Sequence, residues 1–248
     1  MKIDSKEMQQ VAAATAAQDA PRFDMYAGIH KAMRAWMADT LLAVGRMDAD
    51  DGLELARTTQ RVLELMDACA SHLKHENAFI HAAMEARAPG ASAVIAHEHD
   101  DHVAHIDRLA RAATVLLGLP AGGRDAAALA LYRELSLFIA ENFHHMHVEE
   151  TAHNAVLWAR YTDAELVEIH DALVASIPPE EMMRITRWLV PFMNPADRVA
   201  MLSDMRAKAP APAFDAVMDA VRPHLTPGEW AKLTRSLGLP AAPGLVTA

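Results

Sequence analysis

Residues 72–76 read HLKHE, and residues 145–149 read HMHVE. Both segments have the form His-x3-Glu, and their histidines lie 73 positions apart. Residues four apart in an α-helix are separated by only about 40° around the helix axis. The histidine and the glutamate of each segment therefore project side by side. The repeat predicts two helices that each present one imidazole and one carboxylate on the same face.

The same register, an offset of 73 residues, also relates the residues that precede the histidines on both helices. Before it reaches the histidines it gives the pairs Val62/Leu135, Leu65/Phe138 and Cys69/Asn142. The face that carries the His and Glu pairs is thus apolar for two or three turns before it becomes polar. We infer that His72, Glu76, His145 and Glu149 lie at the end of a core stripe.

A weaker repeat relates two further segments. His30 and His102 are 72 positions apart, and each is followed at +7, +11 and +14 by an apolar residue. Gly45 and Gly118 close the two segments. Two tandem halves would therefore bring four histidines and two carboxylates to one level of a bundle. Because such groups are costly to bury without a partner, a pair of metal ions is the simplest explanation.

Proline and glycine divide the chain. Only Pro89 and Pro120 fall between Arg22 and Ile177, whereas ten prolines fall between Pro178 and Pro243. Proline inside a helix costs about 3 kcal/mol, so the first region can hold long helices and the second only short ones. The long helices are predicted at 22–45, 51–87, 91–117 and 124–160. The short helices are predicted near 163–176, 180–190, 196–207, 213–221 and 227–236.

We therefore predict an all-α fold, an up-down antiparallel four-helix bundle followed by a region of short helices. The predicted organisation is a loose N-terminal segment at 1–21, the bundle with a di-metal site at 22–160, a C-terminal extension at 161–240 and a loose tail at 241–248. Apolar residues make up 52% of the chain and aromatic residues 5%, which argues against an all-β fold.

Composition also excludes several classes of function. The net charge of −10 gives no basic surface for nucleic acid. Cys69, the single cysteine, excludes an internal disulfide and a four-cysteine zinc site. No apolar run approaches 18 residues, and residues 1–20 do not resemble a signal peptide. We expect a cytoplasmic protein that binds neither nucleic acid nor a membrane.

The pattern His30, His72-x3-Glu76, His102 and His145-x3-Glu149 resembles the haemerythrin-like, or HHE cation-binding, domain over roughly residues 22–160. The resemblance implies two iron ions inside the bundle, with an oxo, hydroxo or water bridge, and Mn or Zn as substitutes. It implies terminal ligands at His30, His72, His102 and His145, and bridging carboxylates at Glu76 and Glu149.

The sequence departs from oxygen-carrying haemerythrins on the third helix. Those proteins have two histidines four apart there, whereas this chain has Glu98 four residues before His102. Glu98 is either a third carboxylate ligand or a residue that holds a histidine nitrogen. The spacing also fits His144 with Glu149, but His145 shares the face of Leu135 and Phe138.

The remaining candidates are expected to have structural roles. We expect Tyr26 to be a packing residue with a tethered hydroxyl, Cys69 to be a buried inert thiol, and His105 and His153 to lie outside the ligand set. The histidines expected mostly at the surface or at helix ends are His75, His81, His97, His99, His144 and His147. The large apolar residues of the extension are expected to pack, although they could also contact a second copy or a protein partner.

The resemblance implies a centre that binds O2, NO or peroxide, with a role in sensing, stress defence or oxygen and iron handling. A binding or sensor protein is favoured over an enzyme, with weak peroxidase or oxidase activity left open. The alternative is a metal-handling or metal-gated helical interaction protein without a small-gas function. A third hypothesis is a helical interaction module without metal, in which the histidines form a hydrogen-bonded polar layer.

Overall fold

A computed structural model describes residues 22–240, and the segments predicted to be loose at 1–21 and 241–248 lie outside them. The described residues are helical and contain no strand, which confirms the all-α prediction of a bundle followed by short helices. None of the helices in this part of the chain is both long enough and apolar enough to cross a membrane.

The bundle consists of four long helical segments. They are α1 (Ala27–Arg46), α2 (Gly52–His75) continued by a first π turn (Glu76–His81) and α3 (Ala82–Arg87), α4 (Ala93–Gly118), and α5 (Asp125–Val148) continued by a second π turn (Glu149–His153) and α6 (Asn154–Arg160). A further helix, α7 (Asp163–Ser176), follows. In the chain up to residue 160, the segments agree with the predicted ones to within two residues at each end, except that α1 begins five residues later than expected.

Local hydrogen bonds explain where these segments begin. The Asp24 carboxylate accepts from the backbone N–H groups of Tyr26 and Ala27, and this turn precedes α1. The Asp51 side chain caps α2 by accepting from Leu53 and Glu54. Between α4 and α5, Gly122 adopts a φ of 81°, a left-handed conformation that glycine tolerates best.

The core of the bundle follows the predicted repeat. Helix α2 packs on α4, and α4 packs on α5. Val62, Leu65, Leu135 and Phe138 are all completely buried. The apolar stripe that the register of 73 indicates is therefore the interior of the bundle, and it leads directly to the His and Glu pairs.

The chain divides into two compact units, one made of residues up to Ala27 and of Trp36–Ser176, and the other made of Gly28–Ala35 and of the residues from Ile177. The second unit contains α8 (Pro179–Phe192), α9 (Pro195–Lys208), α10 (Ala211–Val221), a 3-10 turn (Arg222–His224) and α11 (Pro227–Ser236). Asn194 and Thr226 cap α9 and α11, each ahead of a first-turn proline. Phe214 and Leu202 are buried in the core of this unit, and Trp230 packs against that core.

Candidate metal centre

The two His-x3-Glu segments lie at corresponding places, where α2 and α5 pass into the π turns. Glu76 and Glu149 are 1% and 0% exposed. The His72 Nε2 atom lies 3.2 Å from a carboxylate oxygen of Glu76, and His145 Nε2 lies 3.4 Å from one of Glu149. Each pair is side by side, as the helical spacing predicts.

The centre of the cluster brings both carboxylates together with two imidazoles. Glu76, His99, His145 and Glu149 are all buried, and each offers one potential ligand atom within 4.8 Å of the others. The Nε2 atom of His99 lies 3.0 Å from His145 Nε2, 3.6 Å from Glu149 and 3.8 Å from Glu76. Carboxylate oxygen and imidazole nitrogen at such distances form a donor set suited to iron, manganese or zinc.

Two further groups of potential ligand atoms share these carboxylates. The first contains His30, His72 and Glu76, and the second contains His81, Glu149 and His153. His30 is completely buried. Each glutamate therefore belongs to the central group and to one outer group.

The expectation that His81 and His99 would mostly lie at the surface is wrong, because both are buried. In a regular α-helix, His81 would lie about 140° from Glu76 around the axis. The π turn instead pairs backbone groups five residues apart, which brings residue 81 back over residue 76. No composition or spacing rule predicts this turn. The only signal in the sequence is that His81 follows Glu76 by five residues and His153 follows Glu149 by four.

His102, the predicted ligand on the third helix, is buried beside the central group. Its ring lies 4.7 Å from the ring of His145 and 6.1 Å from that of Phe138. His99, one turn earlier on α4, is the histidine of this helix whose nitrogen lies among the carboxylates. His105 is also buried, with its ring nitrogens 3.3 Å and 3.4 Å from Glu141 and Glu134.

Glu98 contacts His145 on the other ring nitrogen. A carboxylate oxygen of Glu98 accepts a hydrogen bond from His145 Nδ1 at 2.9 Å, and this contact holds the pKa of Glu98 below its usual value. His99 is held in the same way, with its Nδ1 2.8 Å from Asn77 Oδ1. Outer contacts of this kind fix the orientation of metal-binding histidines and leave Nε2 for the metal.

In the metal-free form, burial and neighbouring charges give His145, His81 and His102 different pKa values. Burial alone would lower the pKa of His145, but its contacts with Glu149 and Glu98 outweigh burial and raise it to about 10. The pKa of His81 falls to about 4 because the ring is buried near His99 and His153. The pKa of His102 falls to about 4 through burial and the nearby His145. A neutral imidazole has a lone pair that can bind a metal.

Cys69 and Tyr26 have the structural positions that the sequence analysis predicts. Cys69 is buried, and burial raises the pKa of its thiol, so it is an inert core residue. Tyr26 is completely buried with its hydroxyl 3.2 Å from His153 Nδ1. Burial, followed by the charges of Glu149 and Glu76, raises the pKa of Tyr26 well above its ordinary value, so the phenol keeps its proton.

The cluster defines a class of protein, a helical bundle with a buried carboxylate and imidazole centre. Residues 23–153 match the profile described as "Hemerythrin HHE cation binding domain". This match covers more than half of the chain, and the chain belongs to the haemerythrin HHE family of metal-binding proteins. Comparisons with curated proteins and with solved structures found no match.

The side chains fit the metal that the family implies. Both glutamates and all the candidate histidines except the partly exposed His72 are buried, and both ring nitrogens of His81 lack a hydrogen-bond partner among the described residues. A buried polar atom without a partner costs about 1–3 kcal/mol in an apolar interior. A bound cation would offset that cost.

Proposed function

We propose that this chain is a non-haem di-iron protein that binds O2, NO or peroxide at a buried centre. The observation that supports this proposal is that groups of candidate ligand atoms have a glutamate in common. Glu76 and Glu149 each belong to two groups of candidate ligand atoms. In helical bundles that hold two metal ions, carboxylates bridge the ions while each ion keeps ligands of its own.

In this proposal Glu76 and Glu149 would each contribute carboxylate oxygens to both ions. His30 and His72 serve one ion, and His145 serves the other. We assign His99 to that second ion, in place of His102, because His99 Nε2 lies among the carboxylate oxygens and His102 packs against the His145 ring. Glu98 orients His145 through Nδ1.

When bound, two iron ions supply redox chemistry and a coordination position for a small ligand. The chain supplies the surroundings. Leu65 and Phe138, both completely buried, belong to the apolar stripe that leads to the ligands and keeps water out of the bundle. The Tyr26 hydroxyl retains its proton inside the bundle and can donate a hydrogen bond there. These features suit small-ligand binding in sensing, stress defence or oxygen and iron handling.

The test uses the full chain loaded anaerobically with Fe2+. We expect about two irons per chain and a change in near-ultraviolet and visible absorption on exposure to O2 or NO. A spectrum that returns after the gas is removed supports reversible binding, whereas an irreversible change indicates turnover or iron oxidation. Glu76→Ala and Glu149→Ala are the controls that should not respond.

The alternative, a metal-handling or metal-gated interaction protein, gives a different result. Metal would change the melting temperature or the oligomeric state, and the iron-loaded spectrum would not respond to O2, NO or peroxide. That outcome would contradict the small-ligand proposal while leaving the metal centre in place.

A further inference from the structure

Both π turns begin at a carboxylate of the centre and end at a buried histidine. The first runs from Glu76 to His81 and the second from Glu149 to His153. Such turns are rare, and they occur mostly as single interruptions of α-helices at functional sites. Here the tandem repeat places one in each half of the bundle, at equivalent glutamates.

His81 is held in the interior without hydrogen bonds. Its side chain is buried, and neither ring nitrogen has a hydrogen-bond partner within residues 22–240. The ring stacks on His99 with centroids 4.8 Å apart and meets the edge of His153 at 5.3 Å. These ring contacts leave both nitrogens available, and one potential ligand atom lies within 4.8 Å of those of Glu149 and His153.

His153 shows the same arrangement as the two histidines of the central group. His145 and His99 each place Nδ1 against an oxygen, of Glu98 and Asn77 respectively. His153 places Nδ1 3.2 Å from the Tyr26 hydroxyl. This outer contact is the usual arrangement of a metal-binding histidine, and it leaves Nε2 as the nitrogen available to a metal.

We propose that His81 and His153 are additional ligands of the metal held at Glu149, with Tyr26 as the positioning residue of His153. This inference rests on the proposed di-metal centre and adds two ligands to it. The Glu149 side then has more imidazole ligands than the Glu76 side, which has His30 and His72. The two ions are consequently bound with unequal affinity, and the ion at Glu149 is bound more tightly.

The test compares the full wild-type chain with the double variant His81→Leu/His153→Leu, in anaerobic titrations with Fe2+ and with Co2+ as a spectroscopic probe. We expect two ions per chain in the wild type. We expect the double variant to weaken the tighter of the two binding steps by at least about 100-fold and to retain the other. Tyr26→Phe keeps the packing of the ring and should weaken the same step by about 10- to 100-fold.

His97→Leu is the matched control, because His97 is exposed on α4. It should leave both binding steps unchanged. Circular dichroism and urea unfolding of the metal-free forms test folding directly. Leucine removes the His81 ring, which makes no hydrogen bond, and the His153 ring, which makes one with Tyr26. The metal-free double variant should therefore remain folded and unfold at a urea concentration close to that of the wild type.

Three results would overturn the inference. If the double variant binds two ions with wild-type affinities while Glu76→Ala and Glu149→Ala lose them, the di-metal centre stands and His81 and His153 are not its ligands. If the wild type itself binds neither Fe2+ nor Co2+, the proposed function and this inference both fail. A double variant that is unfolded without metal also contradicts the inference, because it gives the two histidines a structural role.

Discussion

The interiors of the two compact units differ in how their buried polar groups find partners. In the C-terminal unit, the core is apolar around Val190 and Leu202, and the buried Arg198 guanidinium donates to the Val190 carbonyl and to Glu229. The bundle buries two carboxylates and several imidazoles, and His81 has no hydrogen-bond partner among the described residues. The first interior holds its buried charge through contacts within the chain, whereas the second brings carboxylates and imidazoles together in a donor set suited to a metal ion.

Metal removal should produce the largest difference between the two regions. A ligand present at about 1,000 times its Kd stabilises the folded state by about 4 kcal/mol. We expect chelation of iron to raise hydrogen exchange strongly in peptides from α2 and α5. Peptides from α9 and α11 should keep their protection, and equal loss in both regions would contradict the comparison.

A substitution in the core of the C-terminal unit should destabilise that unit without changing iron binding. Leu202 is completely buried, and truncation to alanine should cost about 2–5 kcal/mol in the free energy of unfolding of that unit. Iron binding at the bundle should be unchanged, as measured by titration with Fe2+. Ser203→Ala on the exposed face of the same helix is the control, with an expected change within about 0.5 kcal/mol. If Leu202→Ala lost iron, the stability of the C-terminal unit and metal binding by the bundle would not be independent of each other.

The third helix provides a test inside the bundle. His99→Ala should weaken iron binding by at least about 100-fold, because this variant removes an Nε2 atom that lies among the carboxylates. His102→Ala should have a smaller effect, because its ring packs against His145 and Phe138. Iron content and Fe2+ affinity distinguish the two. The reverse order would restore His102 as the ligand that the sequence predicts.

The smallest expected effect concerns acid stability of the C-terminal unit. Hydrogen bonds from Thr226 and Arg198 lower the pKa of Glu229 to about 2. Because the folded pKa is lowered, the stabilisation is complete above the unfolded pKa near 4.5 and is lost as pH falls towards 2. Glu229 is partly exposed, so we expect less than about 1 kcal/mol. Glu229→Gln should remove this component of the acid transition in urea unfolding, and an unchanged pH profile would contradict the assignment.

The helices were predictable because strong local signals mark their ends. Proline and glycine separate the segments, and the register of 73 identifies the buried face through pairs such as Leu65 and Phe138. The side-by-side placement of His72 with Glu76 and of His145 with Glu149 follows from helical spacing alone. These features depend on residues within a few turns of one another.

The rest of the site depends on geometry that spacing does not encode. His81 is buried because a π turn changes the helical phase, and the sequence of this segment is equally compatible with a regular α-helix. His99 and His102 lie one turn apart on α4, so the packing of neighbouring helices decides which one reaches the carboxylates. The role of Glu98 likewise depends on which nitrogen of His145 faces it.

The most direct test of the metal centre is the number of Fe2+ ions that the full chain binds anaerobically, measured for the wild type, Glu76→Ala, Glu149→Ala and the exposed-carboxylate control Glu168→Ala. We predict about two ions for the wild type and the control, and loss of paired binding in both variants of the buried glutamates. No binding by the wild type, or two ions retained without either buried carboxylate, would contradict the account.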